Sequence, residues 1–391
     1  MNKSNNDFLT YYKAGRIIIT DTTNLYDISQ YLFPFRYFPL SAYIFTPFSI
    51  LGLELGYIVF QIFSCILNIA IIYLIYKIIQ IYPRINNENE LHYDLREFRD
   101  IFNKPENESV LYHSAILLIM LPQFMNYFLG QINTLVSFFI LCSVFYFLKN
   151  GNKTNFYGGL MLGLGILIRP TLLLLIFFVI PLHYSIDSKK FVLNFKVSFI
   201  RLFGIIILMF ISSVYFFISP KLLEGFMDVN FTGKYATTIG TLDINASFSL
   251  TRNLMTLFQI TGLRISNFIL FLIMVFLFLV PILYYFVLSS NQTNRLIDGY
   301  LIGITITLIV YFDSWPHHLI VLTPFLIIFT LINKNFKFYN IIRFVHHFLA
   351  ILVVISWGIF YITYEFFPFN LCGLILLILL YFTFIIFYKK Q

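Results

Sequence analysis

The residues from Asp7 to Leu40 are of types that could do chemistry. This segment sets Asp7, Asp21 and Asp27 beside Lys13, Arg16 and Arg36 and is dense in tyrosine. A carboxylate at a membrane surface can take the proton of a hydroxyl as that hydroxyl attacks, help worth roughly 100- to 10,000-fold in rate. Asp7 is the candidate base, because Phe8, Tyr11 and Tyr12 lie next to it and offer ring faces for stacking on a sugar. The alternative is that Asp7 caps a helix starting near Leu9. Asp27 in Leu25-Tyr26-Asp27 ranks below Asp7, since it could equally cap or pair with Arg16 or Arg36. Arg36 could bind a phosphate or a carboxylate, or could snorkel at an interface.

Further along, Gly130-Gln131-Ile132-Asn133 joins two apolar runs with almost no loop. Side-chain amides at Gln131 and Asn133 could hold hydroxyls or cap the helix they begin. Arg169-Pro170 lies between two apolar half-spans, where an unpaired arginine is costly. A phosphate suits its guanidinium, which grips oxygens as a fork; a protein carboxylate would serve as well. Trp315-Pro316-His317-His318, preceded by Asp313, places paired histidines between two apolar runs. Such a pair could orient a phosphate or protonate a leaving oxygen. Adjacent histidines lack the i, i+4 spacing of a helical zinc site, and no metal site is expected. His346-His347 is expected to be structural, as are Cys65, Cys142 and Cys372, all inside apolar segments.

The elements that must position these residues are membrane helices. Of 391 residues, 59% are hydrophobic and 11% charged, too little charge to cover a soluble surface. Apolar runs of about 20 residues recur, and strand-like alternation is absent, which selects helices over a barrel. Residues Pro39 to Leu53 predict a short interfacial or re-entrant helix. Spans are predicted near 55–80, 110–127, 131–148, 157–168, 171–184, 197–219, 265–289, 299–314, 318–333, 341–364 and 371–388, about eleven in all. The chain divides into a head segment with its interfacial helix (1–54), a first helix group (55–219), a loop (220–264) and a second helix group (265–391), all one transmembrane domain.

Sixteen of the 26 lysines and arginines fall in short loops on one side, which predicts that side to be cytoplasmic. The head segment, the Gly130 turn, Arg169, the 220–264 loop and the Trp315–His318 turn then share the opposite face. The basic charge is thereby explained by topology, and no nucleic-acid partner is implied. A start on the outer face with no preceding span predicts either a short translocated head or a further helix upstream.

With these residues in view, the chain resembles glycosyltransferase family 87, the polyprenyl-phosphate-mannose-dependent transferases of the GT-C membrane fold. The resemblance rests on Asp7-Phe8-Leu9-Thr10-Tyr11-Tyr12, Ala14-Gly15-Arg16, Leu25-Tyr26-Asp27 and Phe35-Arg36-Tyr37-Phe38-Pro39-Leu40 with Pro47. It continues through Gly130-Gln131-Ile132-Asn133, Gly163-Leu164-Gly165 to Arg169-Pro170, Asn245-Ala246-Ser247 with Arg252, and Ser314 to His318. The family carries a helix before its Asp motif, where six residues stand here, and lysine is commoner than arginine before the proline at 170.

The resemblance implies an all-α, polytopic GT-C enzyme that needs no cofactor. A hexose, mannose by the family's habit, would pass from a polyprenyl (dolichyl-type) phosphate to a glycolipid or glycan acceptor with inversion. The site would lie on the non-cytoplasmic face of the cell membrane, or of the endoplasmic reticulum in a eukaryote. Asp7 would be the base, and Arg169, His317 and His318 would hold the donor phosphate. Tyr11, Tyr12, Asp27, Arg36, Gln131, Asn133, Asn245 and Arg252 would contact substrate. The rival readings are a flippase or polymerase of lipid-linked glycans, or a secondary transporter. A transporter would place acidic residues at mid-membrane and often show internal repeats; here the acids lie almost entirely in loops, and no repeat is found.

Overall fold

A computed structural model describes residues 6–86, 108–185, 190–231, 247–288, 295–332, 339–363 and 366–390. The chain is almost entirely helical. The head forms two short helices, α1 (Phe8–Thr20) and α2 (Ala42–Ile50), joined by three single 3-10 turns. The first half continues with α3 (Leu53–Asn86), α4 (Glu108–Ile119), α5 (Leu121–Leu129), α6 (Asn133–Leu148), α7 (Asn152–Ile168), α8 (Ile176–Val179) and α9 (Phe195–Ile218). The second half holds α10 (Pro220–Asn230), α11 (Leu250–Thr261), α12 (Asn267–Leu288), α13 (Arg295–Val310), α14 (Leu319–Ile332), α15 (Tyr339–Thr363) and α16 (Cys372–Lys390).

Helix α3 shows why lipid is the solvent. Leu55, Ile58, Ile62, Ile66, Ile69 and Tyr73 are exposed and recur every three or four residues, so one helical face is an apolar stripe turned outward. The polar Ser64 and Asn68 are buried on the other side. Water would invert that pattern; hydrocarbon favours it. Every residue of α14 is buried, and this helix packs against α3, α6, α13 and α15 at the centre of the bundle. Helices α6, α7 and α9 pack in series on one side, and α16 lies against α13 and α15 on the other.

Among the described residues, four helices are long and apolar enough to cross a membrane: Leu53–Ile81, Ser109–Leu129, Phe195–Ile218 and Asn267–Val287. Five shorter apolar helices accompany them. These lengths do not establish the expected count of about eleven. The reason is local: several apolar runs are broken by backbone chemistry. Met120 is extended ahead of Pro122, which divides α4 from α5. The expected span at 171–184 is instead a 3-10 helix (Pro170–Leu175), the single turn of α8, and strand β1 (Leu182–Ser185). Pro170 lacks an N–H for the helical ladder, and Pro181 falls just before β1. Strand β1 pairs antiparallel with β2 (Lys190–Leu193), Leu182 facing Leu193. The expected loop 220–264 carries α10 and α11. The expected interfacial segment is α2, whose nine residues are too short to span.

Two glycines set the head against the bundle. Gly15 brings α1 onto α2; a β-carbon there would lie 2.8 Å from the carbonyl carbon of Phe45. Gly130 ends α5 in the left-handed region, at φ 65°. A β-carbon on Gly130 would meet Cβ of Phe8 at 2.8 Å. The same turn fastens the head, because Leu129 O accepts from Asp7 N at 3.0 Å. Gly130→Ala combines a left-handed backbone cost of about 1–2 kcal/mol with that contact. Its thermal unfolding midpoint in detergent is expected to fall, and an unchanged midpoint would show that the head is not seated on this turn.

Candidate active site

A cavity of about 690 Å³ opens where the head meets the bundle. Its polar lining comes from seven separate stretches: Asp7 and Tyr11 at the start of the head, Arg36 and Tyr37, Gln131 and Asn133, Arg169, Asn230, Arg252, and Tyr311 to His318. The wall is completed by Leu121, Phe124, Met125, Phe128 and Tyr361, which make one side apolar.

Backbone ties bring these stretches together. Phe38 N donates to Leu167 O at 2.9 Å, and Leu40 N to Ser212 Oγ at 3.0 Å, so the Arg36–Tyr37 strap lies across α7 and α9. Ser249 caps α11 through Arg252 N, which sets Arg252 in its first turn. Phe248 N donates to Ser314 O at 3.0 Å and Ser314 N to Ser247 Oγ at 2.9 Å, fastening that turn to the 311–318 segment.

Asp7 stands at the start of α1, but its side chain does not cap the helix. Its Oδ2 instead accepts from Gln131 Nε2 at 2.5 Å. Gln131 Oε1 accepts from the Tyr11 hydroxyl at 2.8 Å, and that hydroxyl lies 2.9 Å from the Tyr37 hydroxyl. Burial pushes the Asp7 carboxyl up to about 7; the Gln131 bond opposes the rise, Asp313 adds to it and Arg36 opposes it. A carboxyl titrating there can exchange protons at neutral pH.

Arg36 forms an ion pair with Asp313, Nη1 to Oδ2 at 2.8 Å, and donates to the Tyr311 hydroxyl at 3.2 Å. Burial disfavours its charge, but Asp313 and Tyr311 outweigh that and raise its proton affinity. It does not snorkel. The other Asp313 oxygen accepts from Trp315 Nε1 at 2.5 Å. Arg169 is buried and donates to Asn133 Oδ1 at 2.9 Å. Asn133 in turn donates to Asn126 Oδ1 at 3.3 Å. Among the described residues no carboxylate forms an ion pair with Arg169; its hydrogen bond goes to an amide, while the nearby Asp313 is already paired with Arg36, and the site suits an anion.

His318 Nδ1 accepts from Trp315 N at 3.1 Å, so in the neutral ring Nε2 carries the proton and is a donor. His317 is buried with its Nδ1 unpartnered, and its ring meets that of His318 edge to face at 4.5 Å. No group of three or more histidine, cysteine or acidic residues among those described is placed to hold a metal.

Of the residues singled out in the sequence, Asp7, Tyr11, Arg36, Gln131, Asn133, Arg169, Arg252, His317 and His318 line this one cavity. Asp27 does not: it caps the 3-10 helix Ile28–Gln30, and bonds from the Ser29 hydroxyl and amide hold its carboxyl below the usual range. Tyr12 is also elsewhere, against Phe8 and Arg16. Asn245 lies outside the described residues. Sequence reasoning noted Asp313, Trp315 and Tyr37 without giving them a role, and it missed Tyr311. Asp313 carried a usable signal, an acid between the apolar run 299–312 and the histidine pair.

The profile of glycosyltransferase family 87 matches residues 35–311, well over half of the chain. The chain belongs to glycosyltransferase family 87. No curated protein and no solved structure matches it significantly. This family 87 chain is therefore a membrane glycosyltransferase. The matched span contains Arg36, Gln131, Asn133, Arg169 and Arg252 and ends at Tyr311. Asp7 precedes it and the histidine pair follows it, yet the fold returns both to the same cavity.

The Asp7 environment has a stability signature. Its carboxyl binds protons more tightly folded than unfolded, so ionisation costs stability above the ordinary carboxylate range and increasingly so toward pH 7. Asp7→Asn removes that cost. Its unfolding midpoint is expected to exceed wild type at pH 8, with the gain shrinking as pH falls; equal midpoints at pH 8 would mean that Asp7 is not buried as an anion.

Proposed function

We propose that this glycosyltransferase moves a hexose from a polyprenyl phosphate to a hydroxyl on a glycolipid or glycan, with inversion and with Asp7 as general base. The observation that carries the reading is one cavity lined both by a carboxyl titrating near neutrality and by a buried arginine that pairs with no carboxylate among the described residues. A base needs the first; a phosphate leaving group needs the second. The hydroxyl oxygen of the acceptor attacks the anomeric carbon while its proton passes to Asp7. The bond from that carbon to the phosphate oxygen breaks, and the electron pair leaves with the lipid phosphate. Arg169 and the Nε2 donor of His318 meet the charge that gathers there, the kind of preorganised stabilisation that is usually the largest catalytic contribution. The apolar wall of Leu121, Phe124, Met125 and Phe128 suits the lipid end of such a donor. Mannose as the sugar and the GT-C architecture follow the family resemblance, and about eleven crossings follow the apolar runs.

The reaction would take place on the non-cytoplasmic face, where nucleotide sugars are absent and a lipid-linked donor is needed. In a cysteine-free background, Ser29→Cys is expected to react with a membrane-impermeant maleimide added outside intact cells, and Lys153→Cys is not. The reverse labelling would turn the enzyme over.

The decisive assay follows radiolabelled polyprenyl-phosphate-mannose in membranes bearing wild type or Asp7→Asn. Label is expected to reach a lipid or glycan acceptor with wild type and to drop at least about 100-fold with the variant. Because the base works deprotonated, wild-type kcat/KM should rise with pH through about 7. Equal transfer by both proteins would remove Asp7 from the base role. Absence of transfer from this donor, with transfer from another lipid-linked sugar, would replace mannose.

A further inference from the structure

The hydrogen bonds around Asp7 have a direction. The Tyr11 hydroxyl has one proton and spends it on Gln131 Oε1 at 2.8 Å. At its 2.9 Å contact with Tyr37 it must therefore accept, and Tyr37 donates. Since Gln131 Oε1 is turned to Tyr11, its amide nitrogen is turned to Asp7 Oδ2. Every donor in the series Tyr37, Tyr11, Gln131 thus points toward the carboxylate. A turned amide would set its carbonyl against the ionised carboxylate, and that repulsion fixes the direction.

We propose that Gln131, Tyr11 and Tyr37 are positioning residues that aim Asp7 and set its protonation through this one-way relay, an inference that rests on Asp7 being the base. The relay crosses from the Arg36–Tyr37 strap through α1 to the junction of α5 and α6, so it reports the seating of three separate stretches to one carboxylate. The charged groups that face Asp7 are Arg36 and Asp313, and they act on it in opposite senses. They are also paired with each other, which leaves both in place when the relay is altered. The titratable Tyr11 and Tyr37 face it as neutral hydroxyls. Among its neighbours Gln131 makes the strongest contribution opposing the effect of burial. Held in this way, Oδ2 is occupied by the amide and Oδ1 is the oxygen left to receive a proton.

The test reads the carboxyl directly. The full chain in nanodiscs is titrated by infrared difference spectroscopy, with the protonated Asp7 band assigned by its loss in Asp7→Asn. Gln131→Leu is expected to raise the midpoint by about one pH unit, the size of a lost hydrogen bond to the charged form. Tyr11→Phe should raise it by less, by freeing the amide to turn, and Tyr37→Phe by least. The ascending limb of kcat/KM should move in the same sense. A purely structural role would lower thermal stability and leave the midpoint in place. An unmoved or lowered midpoint in both Gln131→Leu and Tyr11→Phe overturns the relay. Should Gln131→Leu fail to fold, Tyr11→Phe, which loses a single oxygen, decides alone. If the midpoints move while Asp7→Asn still transfers sugar, the relay stands and the base assignment falls.

Discussion

The site is held together by the cost of burying charge where water is scarce. Arg36 lies at the start of the matched family span and Asp313 just beyond its end, yet each is largely buried and each is satisfied by the other. Removing one partner of such a pair typically costs about 3–5 kcal/mol, because a buried charge is left uncompensated. That penalty locks the head strap to the turn between α13 and α14. Trp315 and Tyr311 complete the arrangement by taking up the remaining valences of Asp313 and Arg36. The floor and one wall of the cavity are thereby fixed before any substrate enters.

The same physics treats the other arginine differently. Arg169 has the amide of Asn133 and no carboxylate among the described residues. Amide oxygens satisfy hydrogen-bonding valences but leave the charge uncompensated, so the cavity has a standing preference for an anion. Asp7 does not cancel it, because burial keeps that carboxyl partly protonated at neutral pH. One acid is neutralised by a paired arginine, and the other is only partly ionised at neutral pH. The cavity can therefore present positive charge to an anion beside a carboxyl able to take a proton.

Much of this was legible in the sequence, and what was not follows a rule. Arg169 and the histidine pair stood out as polar residues between apolar runs, where lipid forbids one without a use; Gln131 and Asn133 stood out at a turn with almost no loop, Asp7 and Arg36 in the polar, aromatic head, and Arg252 through the family resemblance. These eight and Tyr11 line one cavity in the fold. Asp313 was passed over because its use is a partner distant in sequence, and a through-space pair leaves no periodic signal. Tyr37 and Tyr311 were hidden in an aromatic-rich chain, where a hydroxyl that bonds looks like a ring that packs. Asp27 and Tyr12 lie outside the cavity, Asp27 in the local cap that was one of its two readings and Tyr12 in a local ring contact. Helix identity was readable from hydropathy, while the breaks at Met120, Gly130 and Pro170 made several spans shorter than their apolar runs.

Those breaks are where the chemistry sits. Gln131 and Asn133 follow the left-handed turn at Gly130, and Arg169 follows the last turn of α7. An unbroken helix projects its side chains sideways from an axis crowded by neighbours, whereas a helix end can aim them along the axis into open space. Within a membrane, non-helical backbone is tolerated only where protein or a water-filled cavity satisfies its polar groups. Each break is therefore both a cause of the cavity and dependent on it. The head supplies the remaining partners: Leu129 O, at the end of α5, is satisfied by Asp7 N. The residue that completes the backbone bonding of the break is the same one that brings the carboxylate into the cavity, so seating the head and placing the proposed base are a single event.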